Sequence, residues 1–270
     1  MKLGIGTYTY GWAFAAHPSS LTLAGLLDRA CALGAAVVQI ADNAQPDQLS
    51  TAALADLRRR AADSGLELEL GGRGLTQANL DRFIELASLL GGRLLRFVID
   101  AGDYRPEPPE IASRLRAALP RLRDRGVTLA LENHDRFRAA EFVQIVQTVA
   151  DPCVGICLDT VNSFGALEGP EVVVATMAPF TVNLHLKDFT IRRVPHQMGF
   201  VVEGTPAGEG RLDIPGTLAA LAPHNRCRTA ILELWTPPAA TVSETLRQEE
   251  QWAERSMANL RCMNGLEARK

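Results

Sequence analysis

The sequence of 270 residues lacks the features that mark a disulfide-stapled or zinc-binding domain. Its five cysteines are odd in number and include no C-x-x-C pair, so reduced thiols are the simplest interpretation. Cys153 and Cys157 flank the start of a predicted strand, and we interpret them as packing residues. The composition therefore excludes a disulfide framework and favours a protein of a reducing compartment.

Long apolar runs and blocks of basic charge are also missing. No hydrophobic run approaches the roughly 18 residues of a membrane span, and the first residues, MKLGIGTYTYGW, contain no hydrophobic leader. No Lys/Arg block is longer than Arg58-Arg59-Arg60, and the formal net charge is -3, which provides no electrostatic footprint for nucleic acid. We expect a soluble, cytoplasmic protein that binds neither membranes nor nucleic acid.

The residues that are present favour one large α/β domain. The chain is 47% hydrophobic, and its length is close to the roughly 250 residues typical of an eight-fold β/α barrel. Hydrophobic runs rich in branched residues alternate with amphipathic segments. The runs span residues 3–8, 36–41, 66–71, 94–99, 127–132, 154–159, 181–186 and 229–234. We predict a single (β/α)8 TIM barrel over residues 1–270.

Helical spacing supports this interpretation. In 76–90, Thr76 is suited to be the N-cap, apolar residues recur at offsets of three and four, and Gly91-Gly92 ends the run. Similar spacing predicts helices over 21–33 and 139–149. The main rival, a doubly wound open sheet, normally carries G-x-G-x-x-G after its first strand, and GIGTYTYGW does not supply it.

One connection, from Phe189 to Ile214, is much longer than the usual strand-to-helix link of about 2 to 6 residues. A loop of this length over a barrel mouth is a candidate lid, and a solvent-exposed insertion with no role is the alternative. It contains basic and apolar side chains, among them Arg192, His196, Met198 and Phe200.

Acidic and imidazole side chains end four of the later strand-like runs. Glu132, Asp159, His185 and Glu233 occupy these positions. Because the C-terminal ends of barrel strands meet at one mouth, an oxygen-rich set with one imidazole can hold a hard divalent cation there. A bound cation would also remove the need to pair three buried carboxylates with Lys or Arg. For Asp159 alone, a helix N-cap is an equal alternative.

Five motifs make a resemblance specific: ENH, CLDT, HLKD, GEGRLD and LELW. Their order and spacing resemble those of the xylose-isomerase-like TIM barrel superfamily, often labelled sugar phosphate isomerases/epimerases. The resemblance implies one divalent ion, Mn²⁺, Mg²⁺ or Co²⁺, on the four residues. It implies an isomerase or epimerase that enolises a small sugar, keto-sugar or sugar acid through a metal-bound enediolate. Alternatives are a dehydratase, a decarboxylase of a 3-oxo sugar acid such as 3-oxo-isoapionate, and a non-catalytic sugar-binding barrel.

The same resemblance suggests which residues are catalytic. Glu132 and Glu233 are expected to carry protons as well as bind the metal. His134 shares the strand face of Glu132 and is expected to hydrogen-bond a substrate oxygen, although a polar residue at a barrel rim needs no such role. Lys187 is expected to neutralise an enolate or carboxylate, or else to form an ion pair with Asp188.

Further residues are predicted to bind the substrate. The aromatic side chains that follow the first and last barrel strands should wall the pocket, and the long connection should contribute two basic ones. These substrate-binding residues are Tyr8, Trp12, Arg192, His196 and Trp235. Glu69 and Arg73 reach the mouth only if the register of the third strand places them there.

Two branches of the family fit this sequence less well than the others. Arg138 stands where ketose 3-epimerase relatives carry a second Glu, and the arginines Arg136, Arg138, Arg192 and Arg193 favour an anionic substrate. The DNA-repair branch needs many His ligands, whereas this chain has five His, with His17 and His224 at unsuitable positions. Oligomeric state stays open, since Trp252 and Met257 suit either a partner subunit or the outside of the barrel.

Overall fold

A computed structural model describes residues 1–16 and 20–269 of the chain, so His17 lies outside the described residues. Its strands, in chain order, are β1 (Lys2–Gly6), β2 (Val37–Ile40), β3 (Glu67–Arg73), β4 (Leu94–Val98), β5 (Thr128–Glu132), β6 (Val154–Asp159), β7 (Thr181–Leu186), β8 (Asp188–Arg193), β9 (Phe200–Thr205) and β10 (Thr229–Leu232). All except β8 and β9 pair in parallel and close a barrel in the order β1-β10-β7-β6-β5-β4-β3-β2. The predicted (β/α)8 barrel is confirmed.

Helices cover the outside of the barrel. They are α1 (Gly11–Ala15), α2 (Leu23–Leu33), α3 (Thr51–Asp63), α4 (Gln77–Leu90), α5 (Pro108–Arg125), α6 (Ala139–Val149), α7 (Pro170–Met177), α8 (Ile214–Leu221) and α9 (Val242–Arg261). Thr76 caps α4 as predicted, because its hydroxyl accepts the Asn79 N–H, and Gly91 ends the helix in the left-handed conformation. None of the helices in the described ranges is long and apolar enough to cross a membrane.

The first barrel strand is shorter than predicted. It ends at Gly6, and Thr7–Tyr10 forms a 3₁₀ turn instead of continuing the strand. The turn forms because the Thr9 hydroxyl accepts the Gly6 N–H and donates to the Leu232 carbonyl, which ties it to the last barrel strand. Tyr8 therefore lies in the turn at the barrel mouth.

The long connection contains regular structure that the sequence pattern did not predict. Strands β8 and β9 pair antiparallel from Asp188↔Thr205 to Arg193↔Phe200 and form a hairpin that begins directly after the barrel strand β7. The side chains of Met198 and Phe200 near its tip are exposed. The candidate lid is therefore a hairpin and not an irregular loop.

The C-terminal helix α9 packs on the barrel of its own chain. Met257 is buried, and Trp252 is partly buried against the core. Of the two placements considered for these side chains, the structure shows the one on the outside of the barrel.

A buried carboxylate organises the segment that follows the hairpin. Asp188 is 1% exposed and accepts four backbone N–H groups, from Phe189, Gly208, Gly210 and Leu212, at 2.8–3.0 Å. Its charge is thus satisfied by the amides of the GEGRL segment, which is folded around it. Asp188 is consequently a structural residue, and it is not the partner of Lys187.

We predict that Asp188→Ala lowers the free energy of unfolding by about 3 kcal/mol, because buried amide donors lose their acceptor. The matched control is Asp213→Ala. Asp213 is an exposed N-cap of α8, and its loss should cost about 1 kcal/mol. Urea unfolding of both variants measures the difference, and equal losses would contradict the assigned role of Asp188.

Candidate active site

The four acidic and imidazole residues meet at the C-terminal mouth of the barrel. One potential ligand atom from each of Glu132, Asp159, His185 and Glu233 lies within 4.8 Å of the others, and all four residues are buried. Glu132 and Asp159 end β5 and β6, His185 is the penultimate residue of β7, and Glu233 directly follows β10. Inward-facing strand ends thus bring together residues that are far apart in the chain.

The orientation of His185 is suited to binding a cation. Its Nε2 lies 2.9 Å from Gln39 Oε1, and the Gln39 amide nitrogen donates to Glu69 Oε2 at 3.0 Å. Since this leaves the Gln39 oxygen as an acceptor, Nε2 carries the proton and donates it. The Nδ1 atom then faces Glu233 Oε1 at 3.1 Å and presents a lone pair to the cluster in neutral His185.

The carboxylates are oriented by hydrogen bonds from the protein. Asp159 Oδ1 accepts the backbone N–H groups of Val161 and Asn162, each at 2.9 Å, which leaves Oδ2 toward the cluster. The Asn162 side chain donates to Glu132 Oε1 at 2.9 Å. These contacts hold the acidic groups in place without neutralising them.

Two cations lie beside the three carboxylates. Lys187 Nζ is 2.8 Å from Asp159 Oδ2 and 2.9 Å from Glu233 Oε2, and the Arg96 guanidinium directly contacts Glu132. With His185 neutral, the cluster keeps one negative charge more than these two cations neutralise. Burial lowers the pKa of His185, but Cys157, Glu233 and Glu132 raise it well above its usual value, so without a bound ion His185 itself carries the remaining positive charge. This pairing differs from the sequence prediction, in which a bound ion replaced Lys and Arg partners.

The cluster also meets the chemical requirements of a divalent ion. Glu132 Oε2, Asp159 Oδ2 and His185 Nδ1 are buried and lie within ion-pair distance of a neighbour, yet none has a partner in good hydrogen-bond geometry among the described residues. Three carboxylates and one imidazole form a donor set that Mg²⁺, Mn²⁺ or Co²⁺ accepts. The cluster can hold a metal ion, and its composition leaves the identity of the ion open.

Charge and burial set the protonation states. Burial raises the pKa of Glu132, but Arg96 and His185 outweigh it and lower that pKa to about 2. For Lys187, burial lowers the pKa, whereas Asp159 and Glu233 raise it above its usual value. Glu132 is therefore a carboxylate and Lys187 an ammonium at neutral pH.

Aromatic residues predicted to wall the pocket lie at the mouth. The Tyr8 hydroxyl donates to Asp42 Oδ2 at 3.1 Å, and its ring lies against Arg96. The other two aromatic residues are Trp12 and Trp235. The indole N–H of Trp12 donates to the Thr236 carbonyl, and that of Trp235 donates to the Asp188 carbonyl. His134 pairs through Nδ1 with Asp135 at 2.8 Å.

The basic residues of the long connection lie elsewhere. Arg192 pairs with Glu203 across the hairpin at 2.9 Å, and its side chain is 53% exposed. His196 is exposed near the hairpin tip, where its Nδ1 accepts the Met198 N–H. Within the described ranges, neither side chain contacts the four clustered residues. Their predicted role in substrate binding stays a prediction.

Sequence reasoning missed Arg96 and Asp42, which border the cluster. Arg96 is 2% exposed within β4, and its Nη1 donates to Asp42 Oδ1 at 2.9 Å. A charged residue inside the hydrophobic run LLRFVI was the available signal, because it needs a partner within the barrel. The partner cannot be found in the sequence, since Asp42 follows a different strand.

Comparison with known proteins supports the family resemblance. The model of the family described as xylose isomerase-like TIM barrel matches residues 27–262. A protein of Pectobacterium atrosepticum named 3-oxo-isoapionate decarboxylase is 35% identical over 265 residues, which covers 98% of this chain and 96% of that protein.

Solved structures share the fold at lower identity. A D-psicose 3-epimerase, crystallised in the presence of D-fructose, has a TM-score of 0.75 at 19% identity and covers 98% of this chain and 100% of its own. A xylose isomerase-like TIM barrel protein from Mycobacterium smegmatis in complex with magnesium has a TM-score of 0.70 at 15% identity, with 96% and 97% covered.

We predict that Gln39→Met retains the fold but weakens Mn²⁺ binding about 10- to 100-fold, because His185 loses the acceptor that fixes its tautomer. Isothermal titration calorimetry with Mn²⁺ alone measures the affinity, and His185→Ala is the reference for a lost ligand. Unchanged affinity in Gln39→Met would contradict the orienting role.

The helix that carries Trp12 is tied to α9 by a buried carboxyl group. Glu249 is 1% exposed, and its two oxygens accept the N–H groups of Trp12 and Ala13 at 2.8 and 3.1 Å. Burial raises the pKa of Glu249 from 4.5 to about 7, although these hydrogen bonds lower it. Because the folded state binds the proton more tightly, its stabilising effect is complete below pH 4.5 and is lost as the pH rises through about 7.

We therefore predict that the melting temperature of the wild type falls more between pH 5 and 8 than that of Glu249→Gln, which cannot titrate. Glu254→Gln, an exposed site on the same helix, should follow the wild type. Parallel pH profiles of wild type and Glu249→Gln in differential scanning calorimetry would contradict this prediction.

Proposed function

The chain belongs to the xylose isomerase-like TIM barrel family, and we propose that it decarboxylates a 3-oxo sugar acid of the 3-oxo-isoapionate type. The main support for this proposal is the 35% identity to 3-oxo-isoapionate decarboxylase over 98% of this chain. The epimerase structures are below 25% identical and support the fold alone. Among the reactions that the family resemblance implies, decarboxylation is therefore favoured over isomerisation and epimerisation.

The proposed reaction starts from a carbonyl group β to a carboxylate. Glu132, Asp159, His185 and Glu233 would hold the divalent ion, which when bound supplies a Lewis acid that polarises a carbonyl oxygen. The bond between C1 and C2 breaks, C1 leaves as CO₂, and the electron pair moves through C2 to the oxygen on C3. A proton then adds to C2. An isomerase or epimerase would reach a similar enediolate by removing a proton from carbon. Its substrate would therefore lose no CO₂.

Lys187 is the proposed source of positive charge and of the returning proton. Its ammonium lies 2.8 Å from Asp159 Oδ2 and 2.9 Å from Glu233 Oε2, so these carboxylates hold it in place. Neither Glu132 nor Glu233 is suited to donate a proton: burial raises the pKa of each, but Arg96 outweighs it for Glu132, and His185 and Lys187 outweigh it for Glu233. In this proposal Lys187 donates the proton, Glu233 positions it, and Glu132 serves as a ligand.

The remaining predicted residues have supporting roles. His134 is partly exposed beside Glu132 and is proposed to bind a substrate hydroxyl. Tyr8, Trp12 and Trp235 are proposed to cover the reacting atoms and to exclude water, which strengthens the electrostatic interactions inside the pocket.

We predict that the Mn²⁺- or Mg²⁺-loaded protein releases CO₂ from 3-oxo-isoapionate in D₂O and leaves one deuterium on the adjacent carbon. Chelator treatment should abolish turnover, and added metal should restore it. Nuclear magnetic resonance and CO₂ detection measure both products. Full turnover by metal-free protein would contradict the mechanism, whereas deuterium exchange without CO₂ release would indicate an isomerase or epimerase.

Replacing Lys187, or the carboxylate that positions it, should lower kcat without loss of fold. We expect Lys187→Met and Glu233→Gln each to reduce kcat by about 100- to 10,000-fold, which is the usual contribution of acid-base catalysis. Lys2→Met, at the opposite end of the barrel, is the control for removal of a lysine. Unchanged kcat in Lys187→Met would rule out its role as the proton source.

A further inference from the structure

A cavity lined by basic and acidic side chains adjoins the acidic cluster. It has a volume of about 410 Å³, and Glu132 forms part of its wall. Its basic side chains come from the end of β3 and from the segments after β4 and β5. They are Arg73, Arg105, His134 and Arg136, and the acidic side chains Asp100 and Asp135 line the cavity as well. A substrate held at the cluster can therefore extend into a space where a guanidinium that is not already paired can bind negative charge.

The basic side chains differ in how far their charges are already paired. Arg136 is bound to Asp100 through two nitrogens, at 2.7 and 2.8 Å, and His134 pairs with Asp135. Arg105 is exposed, so water screens its charge. Arg73 is the exception, because its side chain is 37% exposed and only its Nε is engaged, by Asp42 at 3.1 Å.

The terminal nitrogens of Arg73 are therefore available. Within residues 1–16 and 20–269, neither of its Nη atoms donates a hydrogen bond, and Asp42 is its ion-pair partner through Nε. A guanidinium held through Nε can present both Nη groups to the two oxygens of a carboxylate, as a planar fork. Lysine at this position would offer charge without that geometry.

Asp42 fixes the guanidinium and connects it to the cluster. One Asp42 oxygen accepts from Arg73 and from the Tyr8 hydroxyl, both at 3.1 Å, and the other accepts from Arg96 at 2.9 Å. Arg96 in turn contacts Glu132. Arg73 is thus oriented before a ligand arrives, which lowers the entropic cost of binding.

We propose that Arg73 binds the carboxylate of the sugar-acid substrate and selects acids over neutral sugars at this site. This inference rests on the proposed function, since it supplies the anchor that a 3-oxo acid requires. A carboxylate held by Arg73 leaves the carbonyl and hydroxyl oxygens of the substrate free to face the cluster. The arginines of the long connection are not needed for this role.

Binding of a matched pair of probes to Mn²⁺-loaded protein provides the test. Threonate and threitol share a four-carbon chain with three hydroxyl groups, and the carboxylate of threonate replaces the fourth hydroxyl-bearing carbon of threitol. Calorimetry should show that the wild type prefers threonate and that Arg73→Gln loses this preference, with about 10- to 100-fold weaker threonate binding. Arg73→Lys should retain part of it. Arg93→Gln is the control. Arg93 directly precedes β4, so its exposed side chain lies at the end of the barrel opposite to Arg73.

Kinetics separates this inference from the proposed function. With 3-oxo-isoapionate, Arg73→Gln should raise KM by a similar factor and change kcat less. Decarboxylation with unchanged KM in Arg73→Gln would overturn the role of Arg73 and leave the proposed function intact. Preference for threonate that depends on Arg73, without decarboxylation by the wild type, would overturn the proposed function alone.

Two further results would overturn the inference. One is equal binding of threonate and threitol by the wild type. The other is loss of the acid preference in Arg105→Gln but not in Arg73→Gln, which would transfer the anchor to Arg105.

Discussion

The crowding of buried carboxylates at one end of the barrel is the constraint on which the site depends. Three carboxylates surround His185, and Lys187 and Arg96 neutralise part of their charge, so the rest falls to His185 or to a bound cation. Burying such groups is costly unless they are paired or bind a cation. The protein accepts this cost where inward-facing strand ends converge, and a divalent ion would remove it. The same carboxylates hold Lys187 as an ammonium, because Asp159 and Glu233 raise its pKa more than burial lowers it.

The polar character continues below the cluster into the barrel interior. Glu69 is buried, and it accepts hydrogen bonds from Gln39, Asn183 and Thr229. Burial raises the pKa of Glu69, although these hydrogen bonds lower it. Part of the interior that apolar side chains would otherwise fill thus supports the orientation of His185. Asp42 has the equivalent role on the other side, because it orients both Arg73 and Arg96.

Sequence patterns predicted the fold well where the structure depends on interactions between residues that are close in the chain. Thr76 and Gly91 bound α4 because capping depends on side chains within one turn. The four residues at strand ends were found because parallel strands share a direction. The hairpin of β8 and β9 was missed, and Arg192 lies with Glu203 instead of near the cluster. Pairing between strands depends on contacts that periodicity does not report.

The sequence by itself determined the barrel, the residues at its strand ends and the donor types that suit a hard cation. Hydrophobic period, strand direction and ligand chemistry are properties of short segments and of residue types. Only the tertiary structure decided which charges are paired, since Arg96 and Glu132 lie in different strands, Asp42 follows a third, and they meet through barrel closure. Among the described residues it likewise left the terminal nitrogens of Arg73 without a hydrogen bond while pairing Arg136, because pairing is set by distances of a few ångströms that the chain order does not encode.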